Sequence, residues 1–347
     1  LHIDELAFGG SGIARAEGKA VFIPFTIDGE RVSARIVREK KQFAEAEVID
    51  VLEPSPHRVA PRCPYFGRCG GCAYQHISYA HQLEIKSRQV EKTLLRIGKL
   101  GEIPMRPIIR SSIDYEYRNR VTVHVENRTI GFYRRDSHRL IDIAQCPISR
   151  PEVNRALAEL RARRPRDGHY ALRVSDAPRV FEQTNDAVAA ELREVVANFF
   201  PERGKLLIDA FCGSGFFAKR LAEKFDRVLG IEWDRFAVGL ARQSAQPNES
   251  YINSDVEIEL PAQLQNAPAD AAVIVDPPAT GLGAATRSAL QFCPPQTLIY
   301  ISCNPATLAR DLGQLRSQFR ILSVTPLDMF PQTAEIEVAV HLQRSNS

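Results

Sequence analysis

The feature that most constrains this chain is a change of rhythm at about residue 186. From there helical and strand-like stretches alternate. Residues 187–200 read as helix, Leu206-Leu207-Ile208 as strand and residues 217–225 as helix. Arg227-Val228-Leu229-Gly230-Ile231 follows as strand and residues 235–243 as helix. Such alternation builds βαβ units, and repeated units build an open, doubly wound sheet. These sheets bind ligands just beyond the carboxyl ends of their strands. Two more strands of this kind end in chemically useful residues. Ala271-Ala272-Val273-Ile274-Val275 runs into Asp276-Pro277-Pro278, and Leu298-Ile299-Tyr300-Ile301 runs into Ser302-Cys303-Asn304-Pro305. A carboxylate and a thiol are thereby placed for chemistry. The competing reading of Cys303 is a buried packing thiol, the commoner fate of a lone intracellular cysteine.

The front of the chain is different. Residues 1–53 read as short strands separated by turns such as Gly9-Gly10-Ser11-Gly12 and Asp28-Gly29-Glu30, a pattern that suggests a small β-barrel. Pro54-Ser55-Pro56 and Pro61 mark a linker. Residues 76–98 read as an amphipathic helix, with Leu83, Val90, Leu94, Leu95 and Ile97 on the apolar stripe and Lys86, Arg88, Lys92 and Arg96 on other faces. Residues 118–143 turn β-like and 151–164 helical. The expected division is a barrel over 1–53, a central domain over 54–180 and a doubly wound domain over 181–347. The 76–98 helix is a candidate to pack on the last of these.

A net charge of +3 hides a split. Residues 1–180 hold 31 Lys/Arg against 22 Asp/Glu, or +9, and residues 181–347 hold 14 against 20, or −6. A basic front half suits a polyanion. Arg128, Arg134, Arg135 and Arg139 are interleaved with Phe132, Tyr133 and His138, a mix suited to phosphates and stacked bases, although a solvated basic face would look similar. No apolar run approaches the roughly 18 residues of a membrane span. Leu1-His2-Ile3-Asp4-Glu5 lacks a signal-peptide pattern, and without an initiator Met the chain is expected to begin inside a domain. A cytoplasmic monomer is expected. There the seven cysteines are ligands, nucleophiles or buried thiols rather than disulfides.

Three constellations carry chemistry. Cys63, Cys69 and Cys72 stand at C-x5-C-x2-C with Gly70-Gly71 between, and Cys146-Pro147 offers a fourth thiolate. Four thiolates suit an iron–sulfur cluster or a structural zinc. Next, Asp209-Ala210-Phe211-Cys212-Gly213-Ser214-Gly215 follows a strand directly, and Glu232 ends the next one. A Gly-rich turn lets a cofactor approach the backbone, and an acid there accepts ribose hydroxyls. This is the layout of an S-adenosylmethionine site, with a nicotinamide site as competitor; Cys212 reads as a small packing residue. Last, Asp276, Cys303 and the carboxylates of Glu335-Ile336-Glu337 suit covalent chemistry on a pyrimidine. C5 becomes nucleophilic only after a thiolate adds at C6, and a base must then remove the C5 proton. Glu337 is the candidate base; an exposed strand charge is the bland alternative.

Together these motifs resemble the RNA 5-methyluridine (uracil-C5) methyltransferases, specifically the iron–sulfur branch acting on 23S ribosomal RNA, over nearly the whole chain. The resemblance rests on the cysteine signature running through Gln75-His76 to Tyr79, Gln82-Leu83 and Lys86, on Phe181-Glu182-Gln183-Thr184-Asn185, and on the Cys303 motif. It implies a TRAM barrel, a small α+β iron–sulfur domain and a Rossmann-like methyltransferase domain. It also implies Cys303 as nucleophile and Glu337 as base, with S-adenosylmethionine held by Gln183, Phe211, Gly213, Gly215, Glu232, Asp255 and Asp276. Cys63, Cys69, Cys72 and Cys146 would hold a [4Fe-4S] cluster, and RNA is the partner, ribosomal first and transfer RNA as the alternative.

Four departures stand out. Phe216 replaces the family's usual Asn, Ala279 its usual Arg and Glu335 the His of a His-Val-Glu motif, while residues 165–181 are shorter than usual. Altered cofactor affinity or substrate choice is the expected consequence, with a catalytically weakened RNA-binding member as an alternative, and the shorter stretch is expected to lack one or more central-domain strands. Two rival readings remain. A non-catalytic RNA-binding protein predicts unchanged behaviour in Cys303→Ala. A radical S-adenosylmethionine enzyme would use C-x3-C-x2-C in a barrel of repeated βα units, which the x5 spacing and separate cofactor domain oppose.

Overall fold

The computed structural model describes residues 1–135, 137–174 and 183–345, and these form three sheets. The first contains β1 (Glu5–Leu6), β2 (Ser11–Ala16), β3 (Lys19–Pro24), β4 (Arg31–Glu39) and β5 (Phe43–Glu53) in the order β1-β2-β3-β5-β4. Alternation along β2 and β3 turns Ala14, Val21 and Ile23 inward, where they meet Ile3, Val32, Ala44 and Ala46. The two ends of the sheet meet. His2 bridges Arg31, and the Val32 N–H donates to the Leu1 carbonyl at 2.9 Å. The five strands thus curl back on themselves as a barrel.

A single helix, α1 (Tyr79–Gly98), follows. Contrary to the amphipathic reading, Lys86 is fully buried on it, while Leu95 and Ile97 are exposed. The second sheet runs β8-β7-β6-β9 and is built from β6 (Arg120–Glu126), β7 (Thr129–Tyr133), β8 (Leu140–Asp142) and β9 (Gly168–Arg173). One face is covered by α2 (Pro151–Ala162), which places Val153 and Leu157 against Val123, Val125, Ile130 and Leu172. Strand β9 lies inside the stretch that reads as shortened, and the sheet still has four strands.

The third sheet is the largest of the three. Its elements are α3 (Asp186–Asn198), β10 (Gly204–Ala210), α4 (Ala218–Leu221), β11 (Phe225–Glu232), α5 (Arg235–Gln243), β12 (Glu249–Asn253), α6 (Val256–Gln265), β13 (Ala272–Val275), α7 (Ala284–Phe292), β14 (Thr297–Ser302), α8 (Pro305–Leu315), β15 (Phe319–Leu327) and β16 (Glu337–Arg344). The order is β12-β11-β10-β13-β14-β16-β15; the first five strands are parallel, and β16 runs antiparallel to both neighbours. Strands buried on both faces read as continuous apolar runs, which is why β10, β13 and β14 were legible. The helix expected over 217–225 is shorter. It begins at Ala218, whose N–H is received by Asp209 Oδ2 at 2.8 Å, and it ends in a 3-10 turn, Ala222–Lys224. Phe225 instead opens β11 opposite Gly204.

Helix α1 touches both neighbours. Towards the barrel, His81 and Arg88 meet Asp28, and Gln89 donates to the Leu6 and Ala7 carbonyls. Towards the seven-stranded sheet, Val90 and Leu94 enter its core, and Gly98 lies so close to α8 that an added Cβ would stand 2.9 Å from the Ala309 oxygen. The chain then runs along β15, pairing Met105 with Val324 and Ile109 with Leu327 in parallel. Among the described residues no helix is long and apolar enough to cross a membrane.

Candidate active site

Parallel strands deliver their last residues to one edge. Val275 pairs with Tyr300, and Ser302 pairs with Val338 of the antiparallel β16. Asp276 follows β13 directly, and Cys303 and Glu337 lie one step beyond the Ser302–Val338 pair. Cys303 is half-buried on a tight strand-to-helix turn. The Asn304 N–H donates to Ser302 Oγ at 3.1 Å, Asn304 Oδ1 caps α8 through the Ala306 N–H at 3.0 Å, and Pro305 opens the helix. Such a turn fixes the thiol from both sides.

The electrostatics are those of crowded acids. Burial pushes the Cys303 thiol up to about 12, and the charges of Glu337, Asp276 and Glu335 add to this. Glu337 is 3% exposed, and burial holds its carboxyl well above the ordinary range, helped by Asp276 and Glu335. Burial raises Asp276 to about 7. An incoming cation would favour the ionised form of every one of these groups. Buried acids with displaced pKa values beside a thiol mark a functional-site candidate, and of the three groups Asp276 borders the neighbouring cavity.

Beside them lies the Gly-rich turn. Phe211, at φ +65°, Gly213 at +54° and Gly215 at +90° all adopt left-handed backbone. For Phe211 this costs on the order of 1–3 kcal/mol, a strain that clusters at functional sites. A Cβ at Gly213 would meet nothing within 4 Å, so its backbone borders open space. Glu232 ties the turn to β11. Its Oε2 accepts the Gly213 N–H at 3.0 Å and its Oε1 the Asp234 N–H at 2.9 Å. Asp209 beneath is fully buried with Oδ1 unpartnered, and burial raises it to about 8.

A cavity of about 530 Å³ opens here, and Gln183, Phe211, Gly213, Gly215 and Asp276 all line it. Glu232 and Asp255 do not border it. Asp255 instead caps α6 through the Glu257 N–H at 2.9 Å. Gln183 is buried, and its carbonyl accepts from Asn119 Nδ2 at 2.9 Å; Phe181 and Glu182 lie outside the described residues. Phe216 also lines the cavity, with the Arg193 guanidinium 5.2 Å above its ring. Ala279 offers only its carbonyl, to Asn304 Nδ2 and Thr307 Oγ1, both at 3.0 Å. Cys212 is a buried packing residue.

Cys63, Cys69, Cys72 and Cys146 line a second cavity, of about 450 Å³. Burial pushes the deepest thiol, Cys72, up to about 12, and the other three add to the shift. Among the described residues no three His, Cys, Asp or Glu side chains are placed to hold a single metal ion. Sequence reasoning missed how α1 binds the loop between β15 and β16. Lys86 pairs with Asp328 at 2.6 Å, both fully buried, and Gln82 binds Gln332. The available signal was spacing: Gln82, Lys86 and Val90 repeat every fourth residue and share one helix face.

Comparison with known proteins gives a consistent picture. A family model described as tRNA (Uracil-5-)-methyltransferase matches residues 263–345, and a TRAM domain model matches residues 1–49. An uncharacterized RNA methyltransferase of Bdellovibrio bacteriovorus is 31% identical, over 99% of this chain and 94% of its own length. A 23S rRNA (uracil(1939)-C(5))-methyltransferase of Acidithiobacillus ferrooxidans is 30% identical over 99% and 97%. The crystal structure of Pyrococcus abyssi tRNA (uracil-54, C5)-methyltransferase with S-adenosyl-L-homocysteine has the same fold, at a TM-score of 0.74 over 98% of each chain and 23% identity.

Proposed function

The chain belongs to the RNA uracil-C5 methyltransferase family, and from that premise we infer that it methylates a uridine in structured RNA through a covalent Cys303 adduct. The observation that carries this reading is the convergence of Asp276, Cys303 and Glu337 at one sheet edge beside the Gly-loop cavity. S-adenosylmethionine supplies an electrophilic methyl group on a cationic sulfur. Gln183, Phe211, Gly213, Gly215 and Asp276 would hold it, whereas Glu232 and Asp255 do not line the cavity. The uridine must leave its stack, since C5 and C6 are otherwise covered.

Cys303 thiolate forms a bond to C6, and the C5–C6 π pair moves onto C5 and O4. C5 then takes the methyl group, leaving a neutral thioether. Glu337 carboxylate accepts the C5 proton. The released pair re-forms the C5–C6 double bond and expels Cys303 as thiolate.

The same reading assigns the barrel over 1–53 and the central domain over 54–180 to RNA, and 181–347 to the chemistry. The +9 charge of residues 1–180 supports this. Ribosomal RNA is the favoured substrate because the Acidithiobacillus relative, matched almost end to end, is named for 23S rRNA. Transfer RNA is the second reading, favoured by the description of the family model.

Four thiols lining one cavity suit a [4Fe-4S] cluster on Cys63, Cys69, Cys72 and Cys146. Neither methyl transfer nor proton removal needs an electron, so the cluster's part would be structural or RNA-positioning.

The test uses RNA containing 5-fluorouridine, whose C5 has no proton to lose after methylation. With cofactor present, the wild type is expected to form an adduct that survives denaturation, and Cys303→Ala none. A wild-type enzyme with cofactor demonstrably bound and no adduct would remove Cys303 as nucleophile. Mapping methyl transfer onto ribosomal and transfer RNA then decides between the substrates.

A further inference from the structure

The loop that delivers Glu337 is held from outside its own sheet. It joins β15 to β16, and its anchors come from residues 73–117. Asp328 Oδ1 accepts from Lys86 Nζ at 2.6 Å, and the same Nζ donates to the Phe330 carbonyl at 3.0 Å. Tyr117 hydroxyl donates to the Pro331 carbonyl at 3.0 Å. Gln332, buried and at φ +70°, is bound on every side. Its N–H donates to Gln82 Oε1 and its Oε1 accepts from Gln82 Nε2, each at 3.0 Å. Its carbonyl accepts the N–H groups of Ala73 and Tyr74, at 3.1 and 2.9 Å. Thr333 Oγ1 then accepts the Glu335 N–H at 3.2 Å, two residues before Glu337.

A left-handed glutamine persists only where its surroundings over-determine it. A hairpin needs no such device merely to turn. None of these anchors bonds to Cys303, whose turn is set by Ser302, Asn304 and strand β14, parallel to β13 and antiparallel to β16. Both reacting groups therefore sit at the sheet edge, but the loop that leads into Glu337, paired with Leu327 at the start of β16, is additionally held by the segment that follows Cys72.

We propose that the reciprocal Gln82–Gln332 pair is a positioning clamp for Glu337, governing removal of the C5 proton and release of product rather than attack or methyl transfer. This rests on the roles inferred above for Cys303 and Glu337. Proton transfer needs heavy atoms within roughly 2.6–3.2 Å, so loosening the loop slows that step. Cys303 remains in place, and the methylated covalent adduct persists.

The experiment follows adduct on ordinary uridine RNA with S-adenosylmethionine, by denaturing gel and mass, in the wild type, Gln82→Leu, Tyr117→Phe and Glu337→Gln. Thermal stability and S-adenosylhomocysteine affinity are measured alongside. Glu337→Gln should accumulate methylated adduct and set the scale. Gln82→Leu should form adduct at the wild-type rate, with cofactor affinity within about twofold, and resolve it about tenfold or more slowly. Tyr117→Phe, which deletes one donor to the loop, should slow resolution about threefold. If Gln82→Leu slows formation and resolution equally, in step with lost stability or cofactor binding, the residue is merely structural and the clamp is refuted. If Gln82→Leu does not fold, Tyr117→Phe decides, and unchanged resolution refutes the clamp. Absence of adduct in Glu337→Gln alone sinks the inferred base, and the clamp with it. Accumulation in Glu337→Gln but not in Gln82→Leu sinks only the clamp.

Discussion

Among the charges that raise the Cys303 titration, three are carboxylates: Glu337, Asp276 and Glu335. Together with burial, the larger cause, they favour the protonated thiol. Glu335 is the exposed member of the three and stands where relatives are expected to carry His. Removing an anion favours the thiolate, so Glu335→Gln lowers the thiol pKa and raises its reactivity at a given pH. Because that charge is solvated, the gain is modest. At pH 8 iodoacetamide should label Cys303 about two- to threefold faster than in the wild type, read by peptide mass spectrometry. An unchanged labelling rate would show that Glu335 is fully screened from the thiol.

At the element scale, β11 and β12 approach over a glycine. A Cβ on Gly230 would stand 2.4 Å from the Tyr251 ring and 2.8 Å from Cys212 Sγ. Gly230→Ala should cost about 1–3 kcal/mol by overpacking, seen as a lower Tm with the Gly-rich turn disturbed through Cys212. This strand was legible because the run Val228-Leu229-Gly230-Ile231 ahead of Glu232 admits few alternatives, and α5 was read to the residue. Helix α4 was not. Phe217 and Phe225 look like helix anchors at helical spacing, yet Phe225 is needed in strand register with Gly204. Lys86 escaped for a related reason. Local periodicity reports which face is buried but not what covers it, and Asp328 arrives 242 residues later. The site shows the same division. Gln183, Phe211 and Asp276 border one cavity, whereas Glu232 and Asp255 are engaged by backbone N–H groups, a detail no spacing could reveal.

Taken whole, the molecule turns on α1, whose buried Lys86–Asp328 pair joins the front of the chain to its end. Lys86→Met alone strands a buried carboxylate and should cost about 3–5 kcal/mol, whereas Lys86→Met with Asp328→Leu should recover most of that loss. Chemical denaturation of the three proteins checks this, and equal losses in the single and double variants would mean the pair does not interact as drawn. The run of chain along β15 has a different consequence, one of timing. A ribosome releases residues 79–110 long before β15 and β16 exist. At roughly 5–20 residues per second, α1 waits on the order of 10–50 seconds for the surface that buries Val90 and Leu94. Nascent enzyme thus spends that interval with an apolar helix face uncovered. A gene cut between residues 110 and 183 would yield two fragments, each holding what the other lacks.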